Sequence, residues 1–208
     1  MFQETRDGEM NGPLPWTERR VDSAVVKFRA ASAETVPMTK LHQYRATVAW
    51  TGNLGSGTRQ HAGYRRDHIV TFPGKAPLPG SSHPEYRGDP TRYNPEELLV
   101  AALSACHMLW FLHLCADAGL EVEEYTDDAE GVMETDADGS GRFILVTLHP
   151  RVTARAGPIQ RAAELHEKAR AMCFIANSVN FPVRHEATIA AAPIAPSASP
   201  ALGPGASP

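Results

Sequence analysis

The apolar positions of this 208-residue chain crowd into one place. From Leu98 to Ala116 the sequence reads "LLVAALSACHMLWFLHLCA", nineteen residues without Asp, Glu, Lys or Arg. Asn94 just upstream is a good helix N-cap. Pro95 suits the first helical position, and Glu97 completes a capping-box pattern. The pattern predicts a helix from Pro95 to about Asp117, stopped by Gly119. The run is long enough to raise the membrane question. Ser104, two His and two Cys interrupt it, and acidic Glu96, Glu97 and Asp117 flank it where an orienting basic cluster would sit. A helix apolar on nearly all sides is also the central helix of a globular core, and that reading is preferred.

Shorter patterns surround it. "HQYRATVAW" (42–50) and "YRRDHIVTF" (64–72) carry β-branched and aromatic residues in partial alternation and read as strands across a glycine turn. A Pro/Gly/Ser loop, 73–93, follows and is long enough to suggest function. Beyond the helix, strands are expected near 120–134 and 142–154, joined by the turn "DADGSG". "PIQRAAELHEKARAMC" (158–173) reads as an amphipathic helix, and "FPVRHEATI" (181–189) as a closing strand. The order ββαββαβ, with antiparallel hairpins, indicates an α+β domain over residues 40–190. Residues 1–39 mix Pro, Gly and charge without a period and read as a flexible N-terminal extension; Met38-Thr39-Lys40 looks like a natural start. Residues 191–208 are Ala/Pro/Ser-rich and read as a disordered tail.

Composition narrows the function classes. Apolar residues are 42% of the chain, enough for a core without staples, and the net charge is −4. No basic stripe suggests nucleic acid as a partner. The three cysteines, Cys106, Cys115 and Cys173, form no CxxC pair or zinc spacing, and fit a reducing compartment, the cytoplasm, better than a disulfide scaffold. No signal-peptide core opens the chain. His107 and His113 lack the i, i+3 or i, i+4 spacing of helical metal ligands, so neither a metal nor a cofactor is expected.

Cys106 lies well inside its helix, beyond the first turn where the dipole acts. Apolar burial alone would raise its pKa, so a reactive Cys106 requires an imported positive charge, most simply an arginine. Glu96, ten residues earlier, is some 15 Å away along the axis and about 80° off register. It is placed to hold such an arginine rather than to touch the thiol. Cys173 ends the second helix, where a thiolate is disfavoured, and suits a thiol that attacks late. Each cysteine, Cys115 above all, also reads as a small core hydrophobe. His107 is turned about 100° from Cys106 and reads as a packed or interface residue, which speaks against a Cys-His acyl-transfer pair. His166 reads as an exposed helix residue.

"NPEELLVAALSACHMLWFL" resembles the signature helix of the OsmC/Ohr family of thiol-dependent peroxidases, and "CFIANSVNFPV" resembles its second cysteine segment. The resemblance spans about 42–190 and is nearest to an OsmC-like branch. It implies an OsmC-like fold: antiparallel sheets around two central helices, in an intertwined homodimer with active sites at the subunit interface. It implies reduction of an organic hydroperoxide, with Cys106 peroxidatic, Cys173 resolving, and Glu96 positioning the activating arginine. A dithiol, such as a lipoylated protein, would be the reductant; neither nucleic acid nor membrane is implied. In Ohr-type members the arginine follows the first strand in a Gly-Gly-Arg turn, but here "GNLGSG" has none. In OsmC-type members it lies shortly upstream of the glutamate. Arg87, nine residues before Glu96, fits that place, with Arg59 and Arg92 as fallbacks. The alternative is a non-catalytic dimer that binds a small apolar molecule or senses redox state.

Overall fold

The long helix forms where its caps dictate. Asn94 Oδ1 accepts from the Glu97 N–H at 2.8 Å, and Glu97 Oε2 accepts from the Asn94 N–H at 3.1 Å. That reciprocal box satisfies two N–H groups that a helix start otherwise leaves open. The helix, α1, runs Pro95–Ala118 and ends on Gly119, whose φ of 70° is the left-handed turn that glycine adopts freely. In this computed structural model residues 40–192 are described. The expectations for residues 1–39 and for the tail past 192 lie outside them. Every element below belongs to the unit Tyr44–Pro208.

Ahead of α1, strands β1 (Thr47–Trp50), β2 (His68–Thr71) and β3 (Leu78–Gly80) form an antiparallel sheet. The third strand and a 3-10 turn at Pro84–Tyr86 fall within the stretch read as loop. After α1 the chain departs from the pattern more instructively. The strand expected near 120–134 is two strands, β4 (Glu121–Asp127) and β5 (Glu130–Thr135). The one expected near 142–154 is β6 (Gly141–Leu148) and β7 (Pro150–Ala156), and the closing strand is β8 (Val183–His185) and β9 (Thr188–Ala191). Helix α2 is Ala162–Met172, preceded by a 3-10 turn at Ile159–Arg161. Each long strand is bent at a corner and shared between two sheets, ordered β4-β7-β9 and β5-β6-β8. The hairpin pairs are antiparallel, whereas β8 joins β6, and β9 joins β7, in parallel.

Asp127 fixes those corners. Its carboxylate accepts from the Ser104 hydroxyl of α1 at 2.5 Å and from the His149 N–H at 2.6 Å. His149 is the single residue between β6 and β7, so its N–H leaves the ladder at the bend. Pro150 follows and has no N–H to give. The core divides accordingly. Leu103 packs with Val146, Leu148 and Val183 of the β5-β6-β8 sheet. Phe111, Leu114 and Cys115 pack with Val152, Ala154 and the α2 residues Ala162, Leu165 and Ala169.

Between the two clusters α1 and α2 are joined by aromatic rings. The His166 ring stacks on Phe111 with centroids 3.8 Å apart, and its Nδ1 hydrogen-bonds His107 Nε2 at 3.0 Å. His185 of β8 lies 5.3 Å from His107 and 5.6 Å from His166. His166, read from sequence as exposed, is fully buried. The expectation failed because α2 presents Ala162, Leu165, His166 and Ala169 as one face, and the period does not separate a buried imidazole from a surface one.

Replacing Asp127 by Ala leaves the Ser104 hydroxyl and the His149 N–H without their acceptor, and is expected to cost about 2–4 kcal/mol in denaturant unfolding; a loss under about 0.5 kcal/mol would remove its cornering role. Burial holds His107 down to about pKa 4, with His185 adding to the shift, and burial plus both neighbouring imidazoles holds His166 down to about 3. The unfolded chain binds protons near pH 6.5, so their contribution is complete above that and lost as pH falls toward 4. Unfolding free energy is expected to drop by about 1–3 kcal/mol per pH unit in that window. Stability that stays flat from about pH 6.5 to 4 would contradict the assignment.

Candidate active site

The buried stripe of α1 is Leu103, His107, Phe111, Leu114 and Cys115. Cys106 sits beside that stripe and is partly exposed, whereas Cys115 and Cys173 are buried. Cys173 is the residue at which α2 ends: its φ and ψ of −68° and 110° turn the chain out of the helix. The turn swings the Ala176 N–H back to donate to the Cys173 sulfur at 3.4 Å. On its other side the Cys173 thiol faces Cys106, close enough for Cys106 to raise its pKa. The structure therefore brings together two thiols that lie 67 positions apart in the sequence.

Their surroundings differ. Burial first, and then the neighbouring Cys106, pushes the Cys173 thiol up to about 11, so it remains a thiol at neutral pH. Burial likewise pushes Cys115 up to about 11, and neither of the other two cysteines pairs with it. Cys106 is the cysteine of the three that solvent reaches. Its exposed side on α1 is apolar: Ala102, Ala105 and Leu109 are open, Leu109 to 63%. Trp110, one turn beyond, meets Phe174 edge-on with centroids 5.6 Å apart.

Glu96 occupies the first turn of α1, where the helix dipole favours a carboxylate. Its Oε2 is buried and has no hydrogen-bond partner among the described residues. It opens onto a cavity of about 850 Å³ lined also by His83, Tyr86, Ala105, Met108 and Phe143. Behind it lies a second cavity of about 370 Å³, shared with Arg66, His68 and Tyr64. Arg87 directly follows Tyr86 and is exposed. Its φ of 67° makes it the one non-glycine among the described residues with a positive φ, a conformation that costs roughly 1 kcal/mol or more. Among the described residues its guanidinium makes no ion pair, with Glu96 or any other acid, and Arg59 is exposed in the β1–β2 connection.

Arg92 is taken up elsewhere. Its Nε lies 3.6 Å from Asp89 and 3.9 Å from Asp67, and Ser81 Oγ bonds Asp67 at 3.3 Å, which fastens the loop before α1 onto β2. Arg66 was missed by the sequence reasoning, since nothing in "YRRDHIVTF" distinguishes it from Arg65. It faces the Glu96 cavity, yet its Nη1 is committed to the His61 and Tyr64 carbonyls at 2.7 and 2.8 Å. Among the described residues of the chain, then, the two thiols are brought together and the carboxylate–guanidinium pair is not.

A family model described as OsmC-like protein matches residues 88–188. No curated protein matches at a significant level. An OsmC-like protein of unknown function from Vibrio cholerae is 33% identical, with a TM-score of 0.64; the match covers 71% of this chain and 100% of that one. An organic hydroperoxide resistance protein from Elizabethkingia anophelis shares the fold at 21% identity and a TM-score of 0.54, over 74% of this chain and 100% of that one. The organic hydroperoxide resistance protein OsmC from Legionella pneumophila does so at 16% identity and 0.52, over 73% and 98%. Two helices between sheets, a cysteine on each, and a third of the residues shared along the whole Vibrio protein lead to one conclusion: the chain belongs to the OsmC/Ohr family.

Proposed function

We propose that this protein is a thiol-dependent peroxidase that reduces organic hydroperoxides. The observation that carries the reading is the proximity of an accessible thiol, Cys106, to a buried one, Cys173. Cys106 attacks the distal peroxide oxygen, the O–O bond breaks, and the alcohol leaves with a proton; Cys106 becomes a sulfenic acid. The Cys173 sulfur then displaces that hydroxyl as water and a disulfide forms. An external dithiol restores both thiols by exchange. No metal or cofactor enters this cycle. Its partners are the hydroperoxide, the dithiol and a second copy of the chain.

The high pKa of Cys173 suits the resolving role: it stays protonated until sulfenic acid forms beside it. The apolar surroundings of Cys106 favour an alkyl or lipid hydroperoxide over hydrogen peroxide. Thiolate formation at Cys106 needs a guanidinium, and the unpartnered Oε2 of Glu96 is the group that would hold it. Arg87 is the first choice, because it directly follows Tyr86, which lines the 850 Å³ cavity with Glu96, and holds a conformation that arginine rarely adopts. Glu96 lies about 15 Å along α1 from the Cys106 of its own chain. The carboxylate and guanidinium therefore act across a dimer interface, on the partner's Cys106. The apolar open face of α1 supports such a dimer, as do Val132 and Met133 of β5, exposed to 47% and 42%.

A second reading, a binding or redox-sensing dimer without turnover, is favoured by one observation: the 850 Å³ cavity is lined by neither cysteine. One assay separates the two. Reduced protein is mixed with cumene hydroperoxide, and peroxide loss and free thiols are followed together. The peroxidase reading expects loss of both Cys106 and Cys173 thiols per peroxide consumed, abolished in Cys106→Ser. Arg87→Ala should lower kcat/KM about 10–100-fold. Thiols that persist in the presence of peroxide would leave the binding reading standing.

A further inference from the structure

Three imidazoles join α1 to α2 and β8, and the two-thiol chemistry uses none of them. His107 directly follows Cys106. His166 lies seven residues before Cys173, two turns back along α2. His185 lines, together with His107 and Cys173, a seam too narrow for a water molecule. His107 and His166 are buried, their rings parallel within 6°, and His166 Nε2 has no hydrogen-bond partner among the described residues. The groups facing the cluster are few. From α2 come Glu167, 3.6 Å from His185 Nε2 and largely exposed, and Arg170, whose Nε donates to the Val183 carbonyl. From β8 comes Arg184, and the seam ends at Cys173. One solvent-facing carboxylate therefore answers three imidazoles and two guanidiniums.

Such a cluster tolerates neutral rings and resists charged ones. A proton on the accepting nitrogen breaks their shared hydrogen bond, because both nitrogens then donate; a proton elsewhere on either ring buries a charge away from water. A second proton would sit about 5 Å from the first, without water to screen it.

We propose that the His107–His166–His185 cluster couples the approach of Cys173 to Cys106 to pH: neutral, it seats α2 on α1 and the thiols meet; protonated, it loosens that seat and Cys173 withdraws. The three are positioning residues and touch no reacting atom. The inference rests on the reading that the two thiols react as a pair. The low pKa values that burial imposes on His107 and His166 put the transition on the acid side of neutrality. A sulfenic acid formed at Cys106 in acid would then go unresolved and be open to overoxidation.

The test separates ring closure from peroxide chemistry. Reduced protein receives one equivalent of 2,2′-dithiodipyridine, which reacts with thiols in acid as well. Cys106 displaces one thiopyridone and forms a mixed disulfide. Cys173 then displaces the second, closing the protein disulfide. The rate of that second release is followed from about pH 7.5 to 4. Loss of thiolate alone lowers it about tenfold per pH unit. Wild type is expected to fall more steeply below about pH 5, ending about tenfold slower than His166→Phe, which keeps a ring on Phe111 but cannot titrate. His185→Gln gives the same comparison from the edge of the cluster should His166→Phe not fold. Parallel pH profiles in wild type and variant would overturn the inference. A second thiopyridone that never appears, at any pH, would instead overturn the paired-thiol reading on which it rests.

Discussion

The fastening of α1 to α2 through aromatic rings decides where the sulfurs lie. Phe111 and His107 are one turn apart on α1, and the single ring of His166 engages both, stacking on the first and hydrogen-bonding the second. That contact fixes the rotation of α2 about its axis. Cys173, two turns on and on the same face, is thereby delivered to Cys106. An ordinary leucine pair would also hold two helices together. A hydrogen bond within a stack sets their register as well, at the cost of burying one imidazole nitrogen without a partner.

The sheets serve the same end. Bending each long strand at a corner lets one α+β layer wrap both halves of α1 instead of lying flat against one. The Asp127 carboxylate ties the corner to Ser104, two positions from Cys106, so the bend and the thiol are positioned by the same turn of helix. Glu96 stands at the other end of α1, and the cavity it opens onto runs along the helix past Ala105 and Met108 without reaching either cysteine, so the chain carries both halves of the proposed chemistry without bringing them together.

Much of this was legible in the sequence, for identifiable reasons. The ends of α1 were readable because Asn94, Pro95, Glu97 and Gly119 act locally, through backbone groups within a few residues. The family resemblance rested on the Asn94-Pro95-Glu96 opening, the Ser104-Ala105-Cys106 core and the second cysteine segment at Cys173. The corners were not readable: Asp127 reaches Ser104 and His149 across more than twenty residues, and no alternation pattern records such a contact. His166 was misjudged because a two-sided helix pattern counts an imidazole as polar, whereas here it is a core ring. The arginine is a third kind of case. Several stand near Glu96 in sequence or space, and their commitments, Arg92 to Asp89 and Asp67 and Arg66 to backbone carbonyls, emerge only from the folded chain.

The central claim is that Cys106 and Cys173 are chemical partners and Cys115 is core. Peptide mapping by mass spectrometry, after reduced protein meets one equivalent of cumene hydroperoxide, addresses it most directly. The expected product is a crosslink between Cys106 and Cys173 within one chain, with Cys115 still a free thiol. A crosslink through Cys115, a disulfide between chains, or Cys106 held as sulfenic acid while Cys173 stays reduced would contradict the account.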